Sequence, residues 1–451
     1  METNPPHLKG NQPTASERKT QLKPNRQSEE RFQLKGTNNP KEAKAPAQVS
    51  KIDKIGLYLL YFSVTLEIII VIIDKSNYTN PLEGQLFRIT FLLAAGKVLC
   101  TKYSLKEWAA LIMFGLLGLI SYKITGRNEI LRIIAFVAAC KGTDVKKLLK
   151  YVFYLTTAGC LLLVFLSVTG IYGGLALETD FGRGYRQVRY CLGLGHPNAL
   201  HCMFMMLVLL GLYLYHEKMK WYGYLVLLGM NYGLYLLTDS NTGMLITACG
   251  IIGGAILYFW KGLNGKKWAY FAGAALLLAC AGFSAMAADA GLAKPSKAET
   301  ADQRKFGNPL IQAAEEHLNG RIIDLHYGSV RQEGTTATWT LFSRPENDYY
   351  FDMGFVRIFY WYGVIPGILC ILLLLLLLRQ LYKEKDGMGL VMVSVLAVYT
   401  IVEAHLVSVY IGRNYILFLA GMYGSSMLGL SGVKEEYLWK AYRLLGKMER
   451  L

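Results

Sequence analysis

The sequence predicts an all-α integral membrane protein of about twelve transmembrane helices (10–12; about twelve or about ten fit its parity), with one long extracytoplasmic loop. Three observations predict it. The 451 residues are 53% hydrophobic and only 18% charged, and mean hydropathy is +0.28, a balance that soluble globular chains lack. Apolar runs long enough for a hydrocarbon core roughly 30 Å thick recur along most of the chain. The connections between these runs alternate between basic and charge-poor.

Residues 1–50 are rich in Pro, Asn, Gln and Lys and nearly free of aliphatic clusters. Such a segment cannot bury enough apolar surface to fold, so a disordered basic cytoplasmic tail is expected. No apolar stretch follows the start, so it does not read as a signal peptide. Spans are then predicted at 55–73, 82–100, 106–122, 128–140, 148–171, 198–215, 220–237, 242–260, 267–287, 354–378, 388–408 and 413–431. The fourth is short and carries Arg132, whereas the leucine run ending at Leu378 is the plainest.

Connections 101–106, 141–147, 216–220, 261–267 and 379–385 are basic, and connections 74–81 and 238–241 are not. Lys and Arg accumulate on the cytoplasmic side, which assigns the basic set and both termini to the cytoplasm. The chain then divides into the tail, nine spans over 51–287, a loop over 288–353, three spans over 354–432 and a basic cytoplasmic tail at 433–451. This pattern accounts for the net charge of +16, so no nucleic-acid partner is expected. The eight cysteines lie mostly inside apolar runs and form no C-x-x-C pair, which indicates neither a disulfide framework nor a metal site. No phosphate-loop or Ser/His/Asp signature occurs, and no cofactor is called for.

Two outer connections are long, and long loops in a compact protein are commonly functional. The first, 172–197, is Arg-rich. Arg183, Arg186 and Arg189 recur at every third residue, and on a helix they would share one face. Guanidinium groups donate paired hydrogen bonds to phosphate oxygens and keep their charge, so such a row suits a diphosphate; the alternative is a row facing headgroups or water. His196-Pro197-Asn198 follows at a helix entrance, where Pro is favoured. His196 offers a general base or a structural end group, and Asn198 a substrate contact or a cap.

The second, 288–353, contains LNGR at 318–321, then Asp324 and His326, and ends in an aromatic-rich stretch with Asp352. Arg321 and Asp352 are the preferred functional residues, one for phosphate and one for a hydroxyl, with Asp324 and His326 as further contacts. The aromatics form an interfacial belt or stack on sugar faces. Glu67, Arg88, Lys97, Arg132 and Glu403 fall inside predicted spans, where an ionisable group normally faces a partner or a cavity. A structural ion pair is favoured for Glu67 and Arg132, and Glu403 is placed towards the outer side.

Together these pieces resemble the Wzy-type O-antigen and capsular polysaccharide polymerases and their relatives, the O-antigen ligases. The residues that carry the resemblance are Arg189 with LGLGHPN (192–198), TDSNTG (238–243), LNGR (318–321), FDMGFVRIFYWYGVI (351–365), and Glu403 with Asn414. Their order spans roughly residues 55–430. The chain departs from the family at Asn241, where Ser-Arg-Thr-Gly is common, and at Met353, where Asn is more usual. The resemblance implies a GT-C-like polymerase/ligase bundle acting as a metal-independent glycosyltransferase. Such an enzyme polymerises repeat units carried on polyprenyl diphosphate at the outer face of the cytoplasmic membrane, alongside a flippase and a chain-length regulator. It implies Arg183, Arg186, Arg189 and Arg321 on the diphosphate, and Asp352, His196 or Glu403 on the acceptor hydroxyl. The alternatives are an O-antigen-ligase-like transferase with another acceptor, and a transporter or flippase for a lipid-linked sugar or an anion.

Overall fold

A helix overlaps each predicted span, but not every one is long and apolar enough to cross a membrane. A computed structural model describes residues 50–181, 184–291, 306–318, 320–327, 334–406 and 410–430. Both predicted tails, Arg183 and part of the 288–353 loop lie outside these residues. The first five helices are α1 (Lys51–Asp74), α2 (Glu83–Leu99), α3 (Leu105–Thr125), α4 (Glu129–Ala139) and α5 (Val145–Val168). A hairpin of β1 (Ala176–Asp180) and β2 (Arg186–Tyr190) precedes α6 (Pro197–Tyr215), α7 (Trp221–Thr238), α8 (Asn241–Phe259) and α9 (Lys267–Asp289). After α10 (Pro309–Leu318) and α11 (Arg321–Tyr327) come α12 (Gly354–Tyr362), α13 (Val364–Glu384), α14 (Gly387–Val402) and α15 (Tyr415–Met427).

Among the described residues, seven helices (α1, α3, α5, α6, α8, α9 and α13) are long and apolar enough to cross a membrane, and α14 is a shorter apolar helix. This is the composition of an all-α membrane protein. Two predicted spans change shape. Residues 354–378 are not one helix: Gly363, with φ at 99°, separates α12 from α13. Residues 388–408 form a helix only to Val402, after which the chain runs extended through Glu403. The described part of the 288–353 segment carries α10 and α11.

Residues from Lys51 onward form one unit. Its centre is α14, which packs against α6, α8, α9, α12 and α13. In lipid no hydrophobic force drives helices together, so close approach through small residues matters. A side chain added at Gly250 of α8 would meet Leu209 of α6, and one at Gly273 of α9 would meet Leu390 of α14, each at 2.6 Å.

Side-chain bonds sort the connections into two ends. At one end, Arg127 donates to the Asn347 carbonyl (2.6 Å), Arg189 pairs with Asp239 (3.1 Å), and the Tyr410 hydroxyl lies 2.6 Å from Asp74 and 2.9 Å from Glu83. At the other, Lys141 pairs with Glu107 (2.6 Å), Ser425 donates to Glu107 (2.7 Å), and Asp386 accepts from Tyr213 (3.1 Å) and Tyr423 (2.9 Å). The second end carries the basic connections.

The charges expected to pair structurally do so. Arg132 of α4 donates to Glu67 of α1 at 2.9 Å, with 3% and 2% of their side chains exposed. The Thr90 hydroxyl reaches the same carboxylate oxygen at 2.6 Å, and the Phe87 ring lies 3.8 Å from the guanidinium carbon. Removing one partner leaves the other charge buried and alone. Glu67→Ala is therefore expected to cost about 3–5 kcal/mol, while the double change Glu67→Leu with Arg132→Met costs less than either single change. Thermal unfolding in detergent, followed by tryptophan fluorescence, checks both the loss and its reversal.

Candidate functional site

The end that carries α10, α11 and the hairpin gathers a set of opposed charges, with Arg321 at its middle. The LNGR turn places Gly320 at a φ of 85° and starts α11 at Arg321. Glu315 on α10 accepts the first free backbone N–H groups of α11, from Ile322 (2.8 Å) and Ile323 (3.3 Å), which fixes this short helix. Burial raises the Glu315 carboxyl above its ordinary range, against those two N–H groups and Arg321.

Arg321 then joins four acceptors. Its Nε donates to the Val402 carbonyl at the end of α14 (2.8 Å), and Nη1 donates to the Leu318 carbonyl at the end of α10 (3.1 Å). Both are helix C-termini, which carry unpaired carbonyls and partial negative charge. Nη2 pairs with Glu403 Oε1 (3.2 Å) and Asp352 Oδ2 (3.4 Å). A guanidinium has five N–H donors in a fixed fork, so this geometry uses most of them. Arg321 thus holds two carboxylates more than it opens a free fork towards a diphosphate.

The two carboxylates differ. Asp352 is the more open, with 38% of its side chain exposed against 28% for Glu403. Burial and then the neighbouring Asp352 push Glu403 up to about 7, against the pull of Arg321 and Arg413. Glu403 was expected inside a span; it sits instead just past the last turn of α14, because Arg321 takes the helix's terminal carbonyl. Asp324, on α11, accepts from the Tyr349 hydroxyl at 3.3 Å, and burial raises it, opposed by that bond and reinforced by Asp352.

The arginine row is not a helix. Arg186 and Arg189 lie on β2, which pairs antiparallel with β1 in the register Ala176 to Tyr190. In a strand, side chains three apart point to opposite faces. Arg186 is accordingly exposed opposite Asp180 in the register, and Arg189 is 6% exposed on the other face. Arg189 donates from Nε and Nη2 to Gln187 (3.0 and 2.6 Å), pairs with Asp239 (3.1 Å), and lies 4.1 Å above the Phe181 ring.

Beyond β2, the LGLGHPN stretch turns the chain into α6. Gly193 and Gly195 have φ of 80° and 71°, and a side chain at either would strike the Leu163 carbonyl or Asn77. His196 caps α6: its Nδ1 accepts the Asn198 backbone N–H at 3.1 Å, and Pro197 takes the first helical position. That bond occupies the ring's lone pair, which disfavours the base role and leaves Nε2–H as a donor. Partial burial, then Arg189, hold His196 below its ordinary value, against Asp352. Its ring also meets Phe181 edge-on at 5.7 Å, linking it to Arg189. His326 is 6% exposed, donates to the Ala287 carbonyl at 3.2 Å, and is lowered by burial; this is a packing role.

Two residues enter that the sequence did not single out. Asp239 adopts a left-handed backbone, with φ at 47°, at the end of α7, where it receives Arg189. Arg357 of α12 lies 3.7 Å from the ring centroids of both Tyr350 and Trp361, fixing the segment that presents Asp352. The TDSNTG stretch and the aromatic run were visible as motifs, but neither named these contacts.

No family model, curated protein or solved structure matches this chain. The arrangement defines a site of paired carboxylates flanked by arginines at one end of a helical bundle.

The coupling between Asp352 and Glu403 gives a signed expectation. Titrating the protein by infrared difference spectroscopy, with Glu403→Gln as the blank, should show a carboxyl that ionises near pH 7. Asp352→Asn removes a negative neighbour and should move that midpoint down; Arg321→Ala removes a positive one and should move it up.

Proposed function

We propose that this protein is a membrane glycosyltransferase that polymerises polyprenyl-diphosphate-linked oligosaccharide repeat units into a surface polysaccharide. The end bearing the Arg321 site would face outward, and the end bearing the basic connections would face the cytoplasm. One observation carries the reading: Asp352, Arg321 and Glu403, remote in sequence, meet at that end, with Glu403 poised at about 7. A general base is most effective when its pKa lies near the operating pH.

In the proposed reaction, the acceptor hydroxyl loses its proton to Glu403 and its oxygen forms a new bond to the donor's anomeric carbon. The bond from that carbon to the diphosphate oxygen breaks, and the electron pair leaves with the diphosphate. Asp352, the more open carboxylate, orients the hydroxyl. Arg413 stabilises the charge growing on the leaving group, and Arg189, whose guanidinium is engaged by Gln187 and Asp239, adds its field. Arg413 is close enough to Glu403 to lower it, and Arg189 close enough to His196 to do the same. Arg321 holds the two carboxylates, and the Nε2–H of His196 is a donor for the donor lipid's phosphate.

The test is deletion of the gene, complemented with wild type, Arg189→Ala, Arg321→Ala or Glu403→Gln, with surface glycan and lipid-linked intermediates followed by gel and mass spectrometry. Deletion should leave single repeat units, and each expressed variant should lower polymer by about 10²–10³-fold, the scale of losing one general base or one charge-stabilising or positioning group. Full-length polymer accumulating on its carrier would replace this reading with a ligase. Repeat units trapped on the cytoplasmic side would replace it with a flippase.

A further inference from the structure

At the end opposite the Arg321 site, the first turns of α7 and the last turns of α8 enclose an apolar groove of about 350 Å³. Trp221, Leu225, Leu228, Ile252, Ile256 and Phe259 line it. Several of these are widely exposed, Phe259 by 73% and Leu225 by 58%, although they lie along α8, a span-length helix, and its neighbour α7. That places the groove on the surface that meets lipid, at the mouth rather than at mid-membrane. Trp221 opens α7 and Trp260 follows the end of α8, and Trp is the residue that settles at the boundary between hydrocarbon and headgroups.

Five lysines flank the groove's lining segments along the chain. Lys218 and Lys220 precede α7, Lys261 follows Trp260, and Lys266 and Lys267 lie at the start of α9. All are exposed, and among the described residues none is ion-paired with a carboxylate. The nearest acid in either segment is Glu217. An apolar slot of ligand size thus lies between chain segments that carry exposed lysines without an ion-pair partner. A neutral lipid satisfies the slot alone, and a soluble acidic ligand satisfies the lysines alone. A molecule with a long acyl chain and an anionic phosphate at its head satisfies both.

We infer that this groove is a binding site for an anionic glycerophospholipid of the adjacent leaflet, with one acyl chain between α7 and α8 and the phosphate held by Lys220 and Lys261. Basic pockets between helices at a membrane face recognise such headgroups. The site uses no residue of the Arg321 cluster and is independent of the proposed glycosyl transfer.

The experiment is native mass spectrometry of the purified full chain, titrated with phosphatidylglycerol or with phosphatidylcholine of identical acyl chains. Phosphatidylglycerol should bind at least about tenfold tighter, as expected for two lysines near a headgroup. The pair Lys220→Gln with Lys261→Gln should abolish that preference, and Lys220→Arg with Lys261→Arg should keep it. Ile256→Trp, which fills the groove, should weaken both lipids. Equal affinity for the two lipids, an unchanged preference in the glutamine pair, or undiminished binding in Ile256→Trp would each overturn the site. The exposed lysine positions leave folding intact, and an unchanged elution profile verifies it.

Discussion

Arg321 is the constraint on which the end that carries α10, α11 and the hairpin depends. A single guanidinium closes the C-termini of α10 and α14 and holds Asp352 and Glu403 against them. Two helix ends directed at one point concentrate partial negative charge, and two carboxylates add to it. Without a fixed cation there, four acceptors would repel one another and the last carbonyl of α14 would lose its partner. With it, residues from three distant stretches of the chain share one small volume. The turn at Gly320 and the Glu315 cap on α11 serve this placement.

The same constraint shapes the electrostatics. One arginine facing two carboxylates leaves a surplus negative charge when both are ionised. The more enclosed carboxylate, Glu403, yields by holding its proton up to about 7. A pair of like groups whose environments separate their protonation is a common basis for acid–base chemistry. The hairpin contributes a second, separately stabilised cation: Arg189 is held by Gln187, Asp239 and the Phe181 ring rather than by the Arg321 cluster. His196 lies near enough to Arg189 and Asp352 for the first to lower its pKa and the second to oppose that shift.

The helices were legible because apolar runs in this chain are long and their breaks are polar. Where the break is itself apolar, the sequence misleads. FYWYGVIPG gives no polar signal at Gly363, and EAHLVSVYIG continues the hydrophobic pattern past Val402, so two spans were drawn too long. The arginine row failed for another reason. A repeat of three fits a helix, but the stretch RQVRY also alternates as a strand does, and the glycines before it favour a turn. Arg321, Asp352 and Glu403 were each nameable from charge in an outer position, yet their meeting depends on tertiary folding. Asp239 was hidden because its role arises from a left-handed helix end, and His196 read as either a base or a structural end group because a capping bond is invisible in sequence.

The most direct test of the account is the pH dependence of repeat-unit transfer by the purified protein in proteoliposomes, supplied with the lipid-linked substrate. Wild type should show an acid limb with a midpoint near 7, where Glu403 takes up its proton. Residual activity in Glu403→Gln should lack that limb. An identical acid limb in Glu403→Gln would contradict the central claim, because another group would then be taking the acceptor's proton.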